Sequence, residues 1–390
     1  MERDLNAIRE EIDRLDSRLT ELLCRRMNCS LEVAAYKAAH GLPVLNSARE
    51  AAVLDRVREA AAGRGEGYPD AAALVYSTVM DASRALQHKR LHAGDALRRA
   101  LDGALPAPSA DMSRIVCQGC PGAFSDEAAG LLIRAGRLPA ARPRFVSAFA
   151  EVVAALEADE ADFGVLPVEN SSTGSVHEVY DLLMSHHATI AAAVDVPVRH
   201  CLLALPGADP AALTAVYSHP QGLAQCAQAV AARGLEPRAF SNTAMAAAMV
   251  AEKGDPRLCA IASRRAAEIY GLEVIEEDIQ TVEINCTRFL VLSRRLIITP
   301  DADRVSLIFS LPHVTGSLYR ALARFAAEGL NLTKIESRPV CTGGFEYAFY
   351  LDFEGAAAHA GTVDLLCALS EEMPLFTFLG NYRELDGRKL

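Results

Sequence analysis

Apolar residues recur in a seven-residue pattern over the first part of the chain. From Leu5 onward they fall at positions 5, 8, 12, 15, 19, 22, 29, 33 and 36, which predicts one long helix of about 35 residues with a packing seam. The same series includes position 26, which is Arg26. A guanidinium in an apolar seam is unfavourable unless an anion accepts it, so either a buried acid or a ligand pairs with Arg26, and the spacing leaves both open.

Two further basic residues flank this seam. Arg9 and Lys37 each follow an apolar seam position by four residues, and 28 residues separate them. On a helix that rises about 1.5 Å per residue they lie about 42 Å apart, so one small ligand cannot touch both within a single chain. If both serve one site, Arg9 comes from a second subunit whose helix runs antiparallel. The pattern then predicts an intertwined dimer with two equivalent sites.

Two shorter helical patterns follow. Ser47 and Glu50 have the form of a capping box, so capping the second helix is the plain role of Glu50. In the third helix an apolar ladder that starts at Val75 continues at four-residue steps into Ser83 and Gln87. An apolar ladder that turns polar partway along is expected of a helix that forms the wall of a site.

The middle of the chain reads as an α/β domain behind a linker. Residues 95–112 contain one glycine, two prolines and a serine, which predicts a linker between independently functioning domains. From 113 to 296 short apolar runs alternate with helical patterns, as in α/β proteins. Helix starts led by Ser or Thr occur on both sides of an extended segment at 188–205. Two lobes would therefore aim several helix N-termini into a cleft that suits an anion.

A polar loop lies at the centre of this domain. The apolar run 165–168 predicts a strand, and helical spacing resumes after Gly174. Such a loop would present free backbone N–H groups at the positive end of a helix, although an ordinary N-cap explains it equally. A second polar cluster, at 285–288, runs straight into another apolar strand.

The last segment has a different pattern. Residues 303–383 predict the order βαββαβ, including a strand over 345–353, and this order suits a ferredoxin-like sheet. It shows no cluster of acid, base or nucleophile, which suits sensing better than catalysis.

Composition narrows the possible partners. A net charge of −11 argues against nucleic acid or an anionic membrane as partner. With no apolar run of membrane length and an acidic start, the protein is expected in the cytoplasm. Ten cysteines without regular spacing suit reduced thiols, and the lone pair Cys117 and Cys120 predicts packing rather than a metal or redox site. Gly119 and Gly122 lack dinucleotide-loop spacing, so no cofactor is expected.

Three motifs together resemble a known enzyme family. Pro-Val-Glu-Asn-Ser-Ser-Thr-Gly at 167–174, followed by Asn-Cys-Thr-Arg-Phe at 285–289, resembles prephenate dehydratase. The N-terminal segment resembles an AroQ-type chorismate mutase, and Glu-Ser-Arg-Pro at 336–339 resembles a phenylalanine-binding ACT domain. Over nearly the whole chain this is similar to the bifunctional chorismate mutase/prephenate dehydratases, enzymes of phenylalanine biosynthesis with an isomerase and a lyase activity.

The resemblance implies a multidomain fold. It consists of an all-α AroQ-type mutase domain (1–94), a linker (95–112), a two-lobed α/β dehydratase domain similar to type II periplasmic binding proteins (113–296), and an α+β ferredoxin-like ACT domain (303–383).

In the mutase segment the resemblance implies a clamp on chorismate. Arg26, and Arg9 from the partner subunit, would hold its two carboxylates. Lys37 and Gln87 would donate to the ether oxygen, and Glu50 would accept from the ring hydroxyl. A pericyclic rearrangement needs no nucleophile or base, only a fixed conformer and electrostatic stabilisation. Arg49 and Ser83 would complete the wall of the chorismate site. Asn46 occupies a position where the family commonly has Asp.

In the dehydratase segment the resemblance places Thr287 by the departing hydroxyl of prephenate. A threonine is too weak an acid to ionise fully, so its role is that of hydrogen-bond donor or proton relay. Glu169 is the second candidate for the acid, and Arg288 would anchor the side-chain carboxylate. The remaining implied substrate contacts are Asn170, Ser171, Thr173, Gly174, Ser218, Gln221, Gln225 and Phe289.

The resemblance also implies an effector site between paired ACT domains of a homodimer or higher homo-oligomer. L-Phenylalanine bound there is expected to inhibit dehydration. Two rival functions stay open, an arogenate dehydratase and a non-catalytic phenylalanine-sensing protein. The implied effector residues are Gly316, Ser317, Leu318, Glu336, Ser337, Arg338 and Pro339.

Overall fold

The computed structural model describes residues 4–91, 94–281, 285–340, 347–357 and 359–389. Within these ranges none of the helices is long and apolar enough to cross a membrane. The helices are α1 Leu5–Ala39, α2 Ser47–Ala61, α3 Tyr68–Leu91, α4 Asp95–Asp102, α5 Phe124–Arg134, α6 Phe149–Glu157, α7 His177–Ser185, α8 Pro220–Gln225, α9 Ala227–Ala232, α10 Thr243–Lys253, α11 Arg264–Tyr270, α12 Ser317–Ala327 and α13 Ala360–Glu372. The strands are β1 Ile115–Gln118, β2 Arg144–Val146, β3 Phe163–Asn170, β4 Gly174–Ser175, β5 Thr189–Pro197, β6 Cys201–Ala204, β7 Ala215–Ser218, β8 Glu236–Ala239, β9 Leu258–Ala262, β10 Glu273–Glu276, β11 Cys286–Ser293, β12 Arg304–Ser310, β13 Asn331–Pro339, β14 Tyr347–Glu354 and β15 Phe376–Asp386.

The predicted long first helix is confirmed, since α1 runs unbroken for 35 residues. Much of its apolar seam faces solvent in the single chain. Leu15, Leu19 and Leu22 are 46%, 62% and 55% exposed. An apolar row of this length is expected where a second helix packs against it, because water disfavours so much contiguous apolar surface.

The start of α2 differs from the prediction. Its N-cap is Asn46, whose side chain accepts a hydrogen bond from the Arg49 backbone N–H at 3.0 Å. Ser47 is the first helical residue instead of the cap. Glu50 therefore has no capping role, and its carboxylate pairs with Arg84 of α3.

The segment predicted as a linker contains a helix that packs on the C-terminal domain. The Gly94 N–H, just before α4, donates to Glu371 Oε1 of α13 at 2.6 Å, and Arg98 pairs with Asp364 at 2.5 Å. A Cβ at Gly94 would lie 2.4 Å from the Cβ of Cys367, so only glycine fits this contact. The predicted linker is therefore partly helical and packed on the C-terminal domain, whereas the independent function of the domains on either side of it stays a prediction.

Two sheets organise the rest of the chain. The first has the order β13-β14-β12-β15-β5-β11-β3-β1-β2, with the short β4 paired to β3. The second has the order β10-β6-β9-β7-β8. The chain enters the second sheet after β5 and returns to the first through β11, which runs antiparallel between β3 and β5. The predicted two-lobed α/β architecture is confirmed.

Neighbouring residues of β3 and β11 face two different cores. Leu166 and Leu290 pack with residues of α6 and α7, whereas Val165 and Val291 pack with residues of α5. This alternation follows from the two-residue period of a strand. It decides which face of the sheet each polar residue at the strand ends will use.

The last four strands form the predicted ferredoxin-like sheet, with α12 and α13 on one face. Its other face packs on the first lobe, where Tyr350 and Tyr180 of α7 meet edge to face with ring centroids 4.8 Å apart. β15 also pairs in parallel with β5, so these four strands continue the sheet of the first lobe. Phe345, predicted as the start of a strand, lies outside the described residues, and β14 begins at Tyr347.

Candidate active sites

The central polar loop is a tight hairpin turn between β3 and β4. The Asn170 side-chain oxygen accepts from the backbone N–H groups of Ser172 and Thr173, at 3.0 and 3.1 Å. Gly174 closes the turn with φ +83°, a left-handed conformation that glycine adopts without strain. Helix α7 begins later, at His177. The prediction of free backbone N–H groups at a helix start is therefore wrong, because Asn170 already binds them.

Asn170 also holds Thr287 across the sheet. Its amide nitrogen donates to the Thr287 hydroxyl oxygen at 2.8 Å and to Asn285 Oδ1 at 2.9 Å. Backbone N–H groups can only donate, so the amide oxygen must face the turn and the nitrogen must face Thr287. Since Thr287 accepts this bond, its own proton remains free for another acceptor.

Two glutamines of the second lobe reach this turn. Gln221 Nε2 lies 3.3 Å from Thr173 Oγ1, and Gln225 Nε2 lies 3.2 Å from Ser172 Oγ. The Gln225 oxygen in turn lies 2.9 Å from His200 Nε2. Burial lowers the pKa of His200, which favours its neutral ring. The predicted contributions of both lobes thus meet at one cleft.

Glu169 and Arg288 lie on the opposite face of the sheet from Asn170 and Thr287. They pair with each other in the register of β3 and β11, one position along from the Asn170 and Thr287 pair. Glu169 Oε1 lies 2.6 Å from Lys334 Nζ of β13. This placement contradicts the prediction of Glu169 as an acid next to Thr287, because successive residues of a strand point to opposite faces.

Arg288 is bound by carboxylates of the protein itself. Its guanidinium contacts Asp195 at 2.9 Å and Glu384 at 2.6 Å. These two acids take the place that the prediction gave to the side-chain carboxylate of the substrate. Arg288 therefore ties β11 to β5 and β15 instead of facing the cleft.

Three other predicted contacts have structural roles. Ser218 is fully buried and donates to the Ile261 carbonyl at 2.7 Å, joining β7 to β9. Phe289 is 3% exposed and belongs to the apolar core under α5. The Ser171 hydroxyl accepts from the Cys286 N–H at 2.9 Å, so it connects the turn to β11. The sequence did not indicate these roles, because a residue that packs in the core and a residue that faces the site can occupy the same position in a motif.

The mutase residues converge on the second half of α1. Arg26 Nη1 donates to Ser83 Oγ at 2.6 Å, and Lys37 Nζ donates to the Val44 carbonyl at 2.5 Å. Burial is the main cause that lowers the pKa of Lys37. Gln87 is 7% exposed, and its amide oxygen has no hydrogen-bond partner among the described residues. A polar ligand between these side chains would satisfy it.

Arg9 and Arg49 stand apart from this group in the single chain. Both are exposed, and Arg9 lies near the N-terminal end of the same unbroken helix that carries Lys37 near its C-terminal end. One chain therefore does not assemble the complete predicted set. This placement is the one expected if Arg9 serves the site of a partner subunit.

Arg84 is a site residue that the sequence did not single out. It pairs with Glu50, with Asp81 and, at 3.1 Å, with Glu372 of α13. Burial alone would raise the pKa of Glu372, but a hydrogen bond from His88 and the charges of Arg324 and Arg84 lower it to about 2. The mutase wall is therefore joined to the C-terminal domain through an ionised buried carboxylate. No local pattern predicts a contact between residues so far apart.

Asn285, His200 and Lys334 were also missed. Asn285 is 4% exposed and had a signal, because it is the first residue of the Asn-Cys-Thr-Arg-Phe motif. His200 and Lys334 had none, since their partners come from other elements.

The predicted effector residues divide between two faces of the last sheet. Glu336 and Arg338 face the first lobe, where Ser175 Oγ donates to Glu336 at 2.7 Å and Arg338 pairs with Asp181 of α7 at 2.7 Å. Ser337 and Pro339 are exposed on the other face. The same alternation along β13 explains the division.

The second part of the predicted effector site precedes α12. Gly316 has φ +80° as the N-cap of α12, Ser317 is 9% exposed, and Leu318 is half-buried. The Ser317 hydroxyl has no hydrogen-bond partner among the described residues. A ligand at this helix start could therefore use the Ser317 hydroxyl, whereas Glu336 and Arg338 are already bound to the first lobe.

Neither a metal-binding cluster nor a reactive thiol at Cys117 or Cys120 is found in the part of the chain that the structure describes. There, no group of three or more His, Cys, Asp or Glu side chains is placed to hold a metal ion. Burial raises the pKa of the thiols of Cys117 and Cys120, so neither is poised as a thiolate nucleophile.

Known protein families match both the N-terminal helical segment and the two-lobed α/β segment of the chain. A family model described as prephenate dehydratase matches residues 115–296, and one described as chorismate mutase type II matches residues 8–88. An arogenate dehydratase/prephenate dehydratase of Arabidopsis thaliana is 42% identical over 297 residues, which cover 71% of this chain and 70% of that protein.

Two solved structures share the fold of the part behind the mutase segment. A prephenate dehydratase from Arthrobacter aurescens in complex with L-Phe has a TM-score of 0.63 and 29% identity, over 69% of this chain and 89% of that one. A quorum quenching acylase, GqqA, has a TM-score of 0.62 and 33% identity, over 69% of this chain and 97% of that one.

The predicted cytoplasmic location is wrong by these comparisons. The similar dehydratases of Arabidopsis thaliana are named as chloroplastic proteins, which contradicts this prediction. The prediction rested on an acidic start and the lack of a long apolar run. Neither feature separates the cytosol from the plastid interior, because both are aqueous compartments.

Proposed function

The chain belongs to the prephenate dehydratase family and carries a type II chorismate mutase segment in front of it, and on this premise we propose that it converts chorismate to prephenate and then prephenate to phenylpyruvate. Both steps lie in phenylalanine biosynthesis. The two reactions need different chemistry, and the two groups of residues described above differ accordingly.

The bond from Asn170 to Thr287 carries the proposal for the second step. Dehydration removes the ring hydroxyl of prephenate as water and its ring carboxylate as carbon dioxide, and the electron pair of the broken carbon–carbon bond completes the aromatic ring. The hydroxyl leaves more easily when a donor supplies a proton. Because Asn170 occupies Thr287 as an acceptor, the Thr287 proton is available to the departing hydroxyl. Thr287 acts as hydrogen-bond donor to the departing oxygen or relays a proton that it takes back from solvent, so it is not left ionised.

The first step needs only a shaped polar site. Arg26, Lys37 and Gln87 supply partly buried cationic and amide groups, as a pericyclic transition state with developing charge requires. We assign the missing second carboxylate clamp to Arg9 of a partner chain. The exposed apolar seam of α1 supports this assignment, because an antiparallel partner would cover it.

L-Phenylalanine is the effector we propose for the last domain. The solved relative from Arthrobacter aurescens binds L-Phe. In this chain the buried Ser317 hydroxyl has no hydrogen-bond partner among the described residues, and the motif residues Glu336 and Arg338 contact the first lobe directly. Ligand binding near this motif would therefore act on the dehydratase by inhibiting it.

Arogenate is the alternative substrate of the second step, because the Arabidopsis thaliana relative is named for both acids. An acylase activity like that of GqqA has less support. Acyl transfer by Thr287 would need a base to take its proton, and the Asn170 group that faces it is a donor.

The deciding experiment supplies chorismate to the purified full chain and follows prephenate and phenylpyruvate over time, with and without L-phenylalanine. Arogenate and prephenate are then offered separately. We expect prephenate to accumulate first, phenylpyruvate to follow, and L-phenylalanine to slow the second step. Faster turnover of arogenate than of prephenate would assign the alternative substrate, and no turnover of either would refute the dehydratase proposal.

A further inference from the structure

Three charged residues at alternate positions of strand β13 contact the first lobe. Lys334 contacts Glu169, Glu336 accepts from Ser175, and Arg338 pairs with Asp181. Residues two apart on a strand share a face, so this row is a property of β13 as a whole. The contacts made by Glu336 and Arg338 involve residues of the predicted effector motif, whereas Lys334 lies just outside it.

Lys334 holds both arms of the hairpin that carries Asn170. Its Nζ lies 2.6 Å from Glu169 Oε1 and 2.9 Å from Ser175 Oγ. Glu169 and Ser175 are direct partners in the register of β3 and β4, so one ammonium group clips the base of the turn. The clip is shielded, since the Lys334 side chain is 13% exposed and lies over the Tyr180 ring, 5.6 Å from its centroid.

The turn above this clip contains the groups that meet in the cleft. Asn170 follows Glu169 directly and donates to Thr287, and Thr173 contacts Gln221 of the second lobe. Small displacements of a catalytic group lower reaction rates strongly, because the reacting atoms must lie within about 3 to 3.5 Å of each other. The position of Asn170 therefore depends on a residue of the C-terminal domain.

We propose that Lys334 is a positioning residue of the dehydratase, which clamps the base of the 169–175 hairpin and thereby makes the Thr287 site depend on the placement of β13. The proposal rests on the proposed dehydratase function. It gives effector binding a physical route to the reaction. Ser175 is shared by Lys334 and Glu336, so any shift of β13 loosens the hairpin at its base.

The test compares Lys334→Met, which removes the charge and keeps the stem, with Lys334→Arg, which keeps a cation. Lys389→Met is the matched control, because the side chain of Lys389 is 82% exposed near the chain end. We expect Lys334→Met to lower kcat for dehydration about tenfold to hundredfold with little change in KM, since Lys334 does not touch the substrate. Lys334→Arg should recover much of the rate. Lys389→Met should behave as the unmodified chain.

Three further readouts separate positioning from simple misfolding. The mutase rate of Lys334→Met should stay within about twofold of the unmodified chain, because among the described residues no hydrogen bond or ion pair joins Lys334, Glu169 or Ser175 to the N-terminal helices. Amide hydrogen exchange over 169–175 should speed up in Lys334→Met and not in Lys389→Met. Inhibition by L-phenylalanine should weaken in parallel.

Unchanged exchange in the hairpin, or an unchanged kcat, overturns the proposal. A fall in dehydration that is accompanied by an equal fall in the mutase rate also overturns it, since it would report general destabilisation. If the unmodified chain dehydrates neither prephenate nor arogenate, the proposed function fails, and the exchange experiment still decides whether Lys334 clamps the hairpin.

Discussion

The amide nitrogen of Asn170 donates a hydrogen bond to the hydroxyl oxygen of Thr287 over 2.8 Å, although 117 residues separate the two in the chain. The bond exists because β3 and β11 are antiparallel neighbours with Asn170 opposite Thr287. Because Thr287 accepts this bond, its own proton can only be donated to a group other than Asn170, such as the substrate. The first two predictions test this relationship from its two ends.

Replacing Thr287 by Val removes the hydroxyl and keeps the branched shape of the side chain. We expect kcat for dehydration to fall about 10²- to 10⁴-fold, the usual contribution of a positioned proton donor. Thr287→Ser keeps the hydroxyl and should retain most of the activity. Both variants should leave the mutase rate unchanged when chorismate consumption is measured. Wild-type dehydration by Thr287→Val would refute the assignment.

Replacing Asn170 by Asp changes one donor into an acceptor at almost constant shape. The retained oxygen can still accept from the turn, but the new oxygen would accept the Thr287 proton and withdraw it from the substrate. We expect kcat for dehydration to fall about 100-fold and the melting temperature to fall by about a few degrees, because the new oxygen also faces the oxygens of Asn285 and Cys286. Steady-state kinetics and thermal unfolding of the same preparation check both parts. A loss of activity that is accompanied by a large fall in melting temperature would instead indicate that the turn has collapsed.

The assignment of Arg9 to a partner subunit can be tested by complementation. Arg9→Ala and Lys37→Ala should each abolish most mutase activity as pure proteins. If the two residues come from different chains, unfolding and refolding an equal mixture should restore about a quarter of the wild-type activity, since one site in each mixed dimer is intact. A mixture as inactive as its components would show that each site uses one chain.

Asp352 should make stability depend on pH. Burial raises its pKa from 3.8 to about 6, against the opposing effect of hydrogen bonds from Ser306 and Tyr350. The folded chain therefore holds this proton more tightly than the unfolded chain. The free energy of unfolding falls as pH rises from about 4 to about 6, by about 3 kcal/mol in all.

The matched variant for this prediction is Asp352→Asn, which cannot ionise. Its melting temperature should be flatter than that of the unmodified chain over the same pH range, and higher above pH about 6. Calorimetry at a series of pH values provides the measurement. Parallel curves for the two proteins would mean that the carboxyl group of Asp352 does not titrate in this interval.

Local periodicity predicted several elements correctly. The heptad pattern of α1 was sufficient because one helical face shows every third or fourth residue, whatever it packs against. The same pattern placed Arg9 and Lys37 at opposite ends of one helix. The polar turn at 170–174 and the strand at Thr287 were also visible, since each interrupts or begins an apolar run.

In the candidate dehydratase site most errors concern the partners of a residue rather than the element that carries it. Glu169 and Arg288 stand next to Asn170 and Thr287 in the motifs, yet they use the other face of the sheet and find Lys334, Asp195 and Glu384 there. Ser218 and Phe289 belong to motif segments but fill the core. A motif records which residues are close in the chain, and strand alternation then sends neighbours to different surroundings.

The sequence by itself determined most of the long helices and strands and the side of each that is apolar, because these depend on backbone geometry repeated every 3.6 or 2 residues, but it missed α4 and the hairpin between β3 and β4. It also determined the separation of Arg9 and Lys37. Only the tertiary structure decided that Asn170 reaches Thr287, that Glu372 reaches Arg84 and that Lys334 clips the hairpin. Those contacts depend on how distant elements pack against one another, and no local spacing contains that information.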